Sequence, residues 1–409
     1  MRAEVTIDSI AAGGDGVGRA DGRVVFVPRS APGDVGVVEV PDTGRFTRAE
    51  FREMRVPSSQ RVQPSCTHFV IDRCGGCQLQ HLGYDAQLQA KSRIVRDTMQ
   101  RIGRRAIELP VVHPSPTPWR YRRKLTLAMR RRGAAWIAGL HPFDDPRRVF
   151  RLEDCPITHQ DVLDIWRDVL GAAGHLPDAQ ELRGALRLDE EDTASLTIEG
   201  GRTWSTSEAF FAAVPRLGAL WWIPESEERR RVHTREASSA PGASFAQVNP
   251  AVAIPLRRRV IALAMARHPS SAVDAYAGLG DTAQELAIQG VRVTAIELDR
   301  DAVAWSAGRL PAGSRALAGR VEQLLADALP ADVVILNPPR AGVDKRVTEI
   351  LEAVRPAPAA IVYVSCDPAT LARDVARLSH YRIASLESFD MFPQTAHVET
   401  VCELVPEAA

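Results

Sequence analysis

Cys366 follows an apolar run, Ala359-Ala360-Ile361-Val362-Tyr363-Val364-Ser365, and is itself followed by Asp367-Pro368. Such a run reads as a buried parallel strand that Asp-Pro terminates. The thiol then stands at the carboxyl edge of a sheet, where open α/β folds bind ligands. Glu399, in Gln394-Thr395-Ala396-His397-Val398-Glu399, opens the last strand and supplies an acid for a neighbouring sheet edge. A thiol and a carboxylate together suit covalent alkylation of an unreactive carbon. A thiolate adding to C6 of uracil makes C5 nucleophilic toward a sulfonium methyl. A base must then take the C5 proton so that the sulfur can leave. Cys402, between Val401 and Leu404 on the final strand, reads as core.

Two other strand ends read as a nucleotide-like pocket. Asp274-Ala275-Tyr276-Ala277-Gly278-Leu279-Gly280-Asp281 turns from strand to helix through glycines that admit close approach of a ligand. Glu297, 23 residues after Asp274, ends the next strand as an acid suited to ribose hydroxyls. The Gly-x-Gly spacing lacks the third glycine of a dinucleotide fingerprint, which disfavours NAD. In Asn337-Pro338-Pro339-Arg340 two prolines lock the backbone and hold the side chain before them in one pose. This reads as a motif facing a methyl donor and a target base.

The chain has six cysteines. Cys66, Cys74 and Cys77 form C-x7-C-x2-C, with Gly75-Gly76 inside the tight pair, and Cys155 lies far downstream, before Pro156. In a reducing cytosol such thiols read as metal ligands rather than disulfides. Four thiolates suit zinc or an iron–sulfur cluster, and spacing leaves both open.

The elements that position these groups fall into three blocks. Residues 3–56 hold short alternating runs between turn signals such as Asp21-Gly22, which predicts a small β-barrel of the OB type. A helix is expected over residues 84–102, ended by Gly103, and prolines at 110, 114, 116 and 118 close that unit. Residues 119–240 read as mixed α/β with an antiparallel sheet, and Glu225–Gly242 as containing a loop or linker. From about residue 250, strands alternate with helices, the pattern of a doubly wound parallel sheet. The expected domains are therefore 1–57, 58–240 and 241–409.

At 409 residues, 45% apolar and 25% charged, the composition is that of a multidomain globular protein. It contains no apolar stretch of membrane-spanning length and no signal-peptide pattern, so a cytoplasmic monomer without membrane partners is expected. The net charge is zero, yet residues 1–160 carry 26 Lys and Arg against 17 Asp and Glu. Ten basic residues and one acid lie between Arg101 and Arg132, with Trp119 and Tyr121 among them, a footprint suited to RNA.

Taken together, the chain resembles the bacterial class I RNA (uracil-5-)-methyltransferases, in the subgroup with a TRAM domain and an iron–sulfur cluster. The resemblance is carried by Gly13–Arg29 with Pro32-Gly33, by the first three cysteines with Gln78-Leu79-Gln80-His81, and by Cys155-Pro156. It continues through Ser244–Asn249, Asp274–Asp281, Asn337–Gly342, Ser365–Pro368 with Leu371–Asp374, and Phe392–Glu399. It implies a TRAM domain, a central iron–sulfur and RNA-recognition domain, and a Rossmann-like catalytic domain on which the helix near 84–102 packs. It also implies S-adenosyl-L-methionine as donor and a [4Fe–4S] cluster, rather than zinc, on Cys66, Cys74, Cys77 and Cys155. Cys366 becomes the nucleophile and Glu399 the base. Donor contacts fall on Gln247, Tyr276, Asp281, Glu297 and Asn337, and substrate contacts on Phe245 and Arg340. Asn337 stands where the family more often has Asp, Asp281 where it often has Asn, and the gap between Cys66 and Cys74 is two residues longer than usual. A donor contact near Arg320 has no clear counterpart. The implied substrate is structured RNA, 23S rRNA favoured over tRNA. Two other readings are an amino-group purine methyltransferase using Asn-Pro-Pro and a non-catalytic RNA-binding or assembly factor. Neither needs the Cys366–Glu399 pair.

Overall fold

The computed structural model describes residues 2–40, 47–133, 135–189, 191–235 and 247–407. Its contacts divide the chain into two units that interleave in sequence. One comprises residues 1–63, 78–116 and 251–409, and the other residues 64–77 and 117–250. The three consecutive segments expected from sequence do not coincide with these units, although each contributes its own sheet.

In the first unit, strand Arg2–Ile10 buries Ala3, Val5 and Ile7 on one face, the period-2 pattern of a half-buried strand. It lies inside a six-stranded sheet in the order Thr47–Arg48, Arg23–Val27, Gly16–Ala20, Arg2–Ile10, Val35–Glu39, Glu50–Val56. The Asp21-Gly22 hairpin has both residues at positive φ, 48° and 77°, as its two-residue turn requires.

The catalytic-type sheet of the same unit has eight strands. Their order is Arg315–Ala318, Arg292–Glu297, Ser271–Ala275, Val333–Leu336, Ala360–Ser365, Glu399–Pro406, Tyr381–Phe389, Val112–His113. The first five are parallel, and Glu399–Pro406 runs antiparallel to both its neighbours. Sequence periodicity missed three of these strands. Arg315–Ala318 and Val112–His113 are only four and two residues long, too short for a pattern. Tyr381–Phe389 is half-exposed along much of its length and lacks a continuous apolar run. Helix Tyr84–Arg101 appears where expected and buries Val95 and Met99 against Leu371, Ala372 and Val375 of helix Pro368–Ala376.

The second unit holds a seven-stranded sheet: Phe150–Arg151, Ala135–Leu140, Lys124–Arg132, Glu181–Leu188, Ala194–Glu199, Leu217–Ile223, Arg230–Thr234. All its pairs are antiparallel except Ala194–Glu199 with Leu217–Ile223. Helices Gln160–Gly171 and Ser207–Ala213 pack Trp166, Phe210 and Phe211 against one face. Strand Arg230–Thr234 falls within the segment read as containing a linker. Its arginines lie over Trp221 and Trp222 of the neighbouring strand, so cross-strand cation–π contacts override its polar composition. Among the described residues no helix is long and apolar enough to cross a membrane.

Candidate active site

Ser365 pairs with Thr400 at the last rung of the antiparallel ladder between Ala360–Ser365 and Glu399–Pro406. One residue further along the same register, Cys366 lies across from Glu399. The carboxyl end of one strand and the amino end of its antiparallel neighbour thus bring both groups to one sheet edge. Local structure fixes the thiol's backbone. Ser365 Oγ donates to the Asp367 carbonyl at 3.0 Å, and the Asp367 carboxylate accepts from the Ala369 and Thr370 amides at 2.9 and 3.0 Å. Asp367 is thereby the N-cap of helix Pro368–Ala376, with Pro368 in its first turn.

Cys366 is half-buried and Glu399 is 3% exposed. Burial pushes the Glu399 carboxyl up to about 7, with the Arg340 guanidinium pulling the other way. Burial, and then the Glu399 carboxylate, push the Cys366 thiol up to about 11, again opposed by Arg340. Arg340 is exposed and makes no hydrogen bond or ion pair with any described residue, so its charge is left to act on this pair.

The loop that carries Arg340 is braced from below. Asp374, fully buried, accepts from the Val343 amide and from the Tyr363 hydroxyl, each at 2.9 Å. Arg373 donates to the Ala341 carbonyl at 2.8 Å. Asn337 is half-buried after strand Val333–Leu336; its amide N–H donates to the Ala275 carbonyl at 3.2 Å. Its side chain makes no hydrogen bond with a described residue.

Two strand ends away, Tyr276 turns the chain at φ 63° and Gly280 at φ 79°. A Cβ on Gly280 would lie 2.1 Å from Ser306 Oγ, so only glycine permits this close passage. Glu297 is oriented by three backbone amides, those of Gly278, Leu298 and Asp299, at 2.7–2.9 Å. Asp281 begins helix Asp281–Ile288, and its carboxylate is held by Arg257 at 3.2 Å and Arg309 at 3.0 Å.

The structure thus brings Cys366, Glu399, Asn337, Arg340, Tyr276, Glu297 and Asp281 to one edge of one sheet. Gln247 belongs to the second unit, and Phe245 lies outside the described residues. Near Arg320, Glu322 has a 10% exposed side chain, with Arg320 and Arg346 each at 3.6 Å, and its charge acts on Tyr276.

Two groups at this edge escaped sequence reasoning. Asp274 is 2% exposed, its Oδ2 has no hydrogen-bond partner, and burial pushes its carboxyl up to about 7. Lys91 and Asp390 form a fully buried ion pair, with Tyr84 donating to Asp390 at 2.8 Å and Lys91 to the Phe392 carbonyl at 3.0 Å. With Gln87 and Gln394, and with Gln78 at the Ala396 amide, they pin the loop that leads into Glu399. The signal was present: Gln87, Lys91 and Val95 follow one another at i, i+4 on the buried stripe, where an unpaired lysine is not tolerated.

Cys66, Cys74, Cys77 and Cys155 all belong to the second unit, none is in a disulfide, and they are 7–9% exposed. Cys66, Cys77 and Cys155 share its apolar core. Among the described residues no three His, Cys, Asp or Glu side chains come together as a metal-ion ligand set. A metal site at these thiols is therefore not shown.

The tRNA (Uracil-5-)-methyltransferase family profile matches residues 311–405, and the TRAM domain profile matches residues 2–47. The chain is 31% identical to an uncharacterized RNA methyltransferase of Protochlamydia amoebophila, over 98% of this chain and 97% of that protein. It is 32% identical to one of Thermosynechococcus vestitus, with the same coverage. Among solved structures, the Pyrococcus abyssi tRNA (uracil-54, C5)-methyltransferase in complex with S-adenosyl-L-homocysteine has the same fold. The TM-score is 0.72 at 24% identity, over 98% of this chain and 99% of that one.

Proposed function

Because this chain belongs to the TRAM-bearing RNA (uracil-5-)-methyltransferases, we propose that it methylates C5 of a uridine in structured RNA through a covalent adduct between Cys366 and C6. The observation that carries the reading is the opposition of Cys366 and Glu399 at one sheet edge, which neither a purine amino-methyltransferase nor a binding factor requires.

S-adenosyl-L-methionine supplies an electrophilic methyl group when bound. The residues at the strand ends fit such a donor. Glu297 has its carboxylate oriented by backbone amides and would accept from ribose hydroxyls. The orphan Oδ2 of Asp274 would accept from an ammonium group. Tyr276 and Asn337 line the same edge, and Asp281 acts there through its two-arginine clamp. Gln247 and Phe245 complete the proposed donor and substrate contacts.

In the reaction, the Cys366 sulfur bonds to C6 and the ring electrons move to C5 and O4. C5 then takes the methyl group, neutralising the donor's sulfonium. Glu399 removes the C5 proton, and the returning electron pair re-forms the C5–C6 double bond as the thiolate leaves. Arg340 favours the ionised form of both groups. A resting thiol near 11 stays protonated until a further positive charge arrives, which restrains the nucleophile without substrate.

The four buried thiols of the second unit are proposed as ligands of a [4Fe–4S] cluster. Supporting this are their soft donor chemistry and their shared burial; a cluster seats each thiolate on its own iron and so needs no convergence on one point. The RNA is proposed to be 23S rRNA in preference to tRNA. The test is to incubate the protein with rRNA or tRNA from a strain lacking it, add the methyl donor, and map 5-methyluridine. Appearance of the base in neither RNA, or full turnover by Cys366→Ala, refutes the proposal.

A further inference from the structure

The turn from Pro339 to Gly342 closes on its own bond, the Gly342 amide donating to the Pro339 carbonyl at 2.8 Å. Arg340 stands at the second position of that turn. Two hydrogen bonds and a close contact hold the residues that follow it, all from helix Pro368–Ala376. Arg373 donates to the Ala341 carbonyl at 2.8 Å, and the Val343 amide donates to the Asp374 carboxylate at 2.9 Å. Between them Gly342 has φ 75°, and a Cβ there would lie 2.4 Å from the Asp374 carboxylate and 2.5 Å from the Arg373 guanidinium.

Asp374 is fully buried and has both carboxylate oxygens engaged. One accepts from the Val343 amide, from the Tyr363 hydroxyl at 2.9 Å and from Arg373 at 3.1 Å. The other accepts from Arg373 at 2.9 Å and from Arg377 at 3.2 Å. Tyr363 is buried too; burial, and then the Asp374 charge, hold its phenol far above the usual range, so it stays a donor. It lies on the strand that ends before Cys366, paired with Leu336, the residue before Asn337. One buried carboxylate thus joins the nucleophile's strand, the helix after it and the turn that carries Arg340. An exposed turn closed by its own hydrogen bond needs none of this to persist. What the brace adds is a fixed origin for the Arg340 side chain, which is exposed and makes no hydrogen bond or ion pair with a described residue.

We propose that Asp374, with Tyr363 and Arg373, is a positioning device for Arg340, setting where its guanidinium meets the Cys366–Glu399 pair. The charges that act on the thiol are Glu399 across the ladder, Arg340 from the turn and Asp367 beside it, and Arg340 is the cation among them. The pull of a charge on a thiolate falls with distance, so a turn that drifts outward loses part of it. The inference rests on the proposed function in taking Cys366 as the nucleophile; the brace itself is independent of the substrate.

The experiment reads the thiol without RNA or methyl donor, as the rate at which iodoacetamide alkylates Cys366 at pH 9, followed on its own peptide by mass spectrometry. The variants are Tyr363→Phe, Asp374→Asn and Arg340→Gln, and each of the first two combined with Arg340→Gln. Arg340→Gln should slow alkylation about tenfold, the lower end of what a nearby opposite charge does to an ionisable group. Tyr363→Phe and Asp374→Asn should slow it several-fold alone and add nothing in the Arg340→Gln background, as residues acting through one group do. In turnover, kcat falls by up to about 100-fold, the cost of a slightly misplaced group, while KM for the methyl donor stays at the wild-type value. Tyr363→Phe keeps the ring and removes only the hydroxyl, so it decides the matter even if Asp374→Asn does not fold. Equal slowing with and without Arg340 would show that the brace serves the fold alone and overturn the inference. Wild-type alkylation in Arg340→Gln, or in both Tyr363→Phe and Asp374→Asn, would overturn it as well. The expected alkylation pattern in a protein that methylates no RNA strikes the proposed function instead and leaves the positioning role standing.

Discussion

Cys366 and Glu399 face each other one rung beyond the Ser365–Thr400 pair of two antiparallel strands. Directly opposed residues on such strands have Cα atoms about 4.5–5.5 Å apart, and at that separation the Glu399 carboxylate pushes the thiol up. The pair has opposite needs in the reaction: the sulfur must add and later leave, and the carboxylate must take a proton only in between.

That division of labour predicts different failures for the two residues. Glu399→Gln should still form the C6 bond and accept the methyl group but not lose the C5 proton, so a methylated protein–RNA adduct accumulates. Its turnover falls by about 10²- to 10⁴-fold, the usual contribution of a general base. Cys366→Ala forms no adduct. A denaturing gel with labelled RNA and labelled methyl donor reads both. An adduct in Cys366→Ala, or none in Glu399→Gln with turnover intact, would contradict the assignment.

The rate should depend on pH through both groups. With a carboxyl near 7 and a thiol near 11, log kcat/KM for RNA at saturating methyl donor, which keeps Asp274 ionised, rises with a slope of about two below pH 7 and about one above it. Glu399→Gln abolishes the break near 7. A wild-type profile flat from pH 6 to 8 would be inconsistent with these protonation states.

The Glu399 carboxyl also ties stability to pH. Its folded value lies above its ordinary 4.5, so folding takes up a proton. The associated stability is complete below pH 4.5 and is lost as pH rises to 7, leaving a burden of about 3 kcal/mol above that. Glu399→Gln should therefore resist urea better than the wild type at pH 8 and gain nothing at pH 4.5. Equal gains at both values would place the effect elsewhere.

Removing one partner of the Lys91–Asp390 pair should be costly. Lys91→Met strands a fully buried carboxylate and destabilises the first unit by about 3–5 kcal/mol. Adding Asp390→Asn, which keeps an acceptor for the Tyr84 hydroxyl, recovers much of that loss. Because this loop leads into Glu399, Lys91→Met is also expected to lower kcat. Denaturant titration of the single and double variants measures the coupling, and additive losses would remove the pair from the account.

Anaerobically purified protein is expected to contain about four irons per chain and to show the visible absorption of a cubane. Substituting Cys74 or Cys77 by Ala should abolish both. Stoichiometric zinc with no iron would show that the thiols rearrange to a different centre.

Much of the site was readable in the linear chain because its chemistry sits at strand ends, and strand ends announce themselves locally. The apolar run before Cys366, the glycines after Asp274 and the prolines after Asn337 each mark a β-strand giving way to a turn. The helix over 84–101 followed from periodicity. Less visible were Lys91, whose partner lies 299 residues away, the two-residue strand Val112–His113, and the arginine-rich strand Arg230–Thr234. For the first two the stabilising partner lies far off in sequence; for the third it is the tryptophan pair of the preceding strand, which a polar composition does not announce.

The sequence by itself determined which groups are present and which local shape each adopts, because φ/ψ preference and apolar spacing act over a few residues. Tertiary structure alone decided that the last strand enters antiparallel, so that an acid 33 residues beyond Cys366 comes to stand across from it. It likewise decided that Asp374 meets Val343 and Tyr363, and that residues 64–77 join 117–250. Strand order and register are chosen by which faces can be buried together, a property of the whole chain that no short window contains.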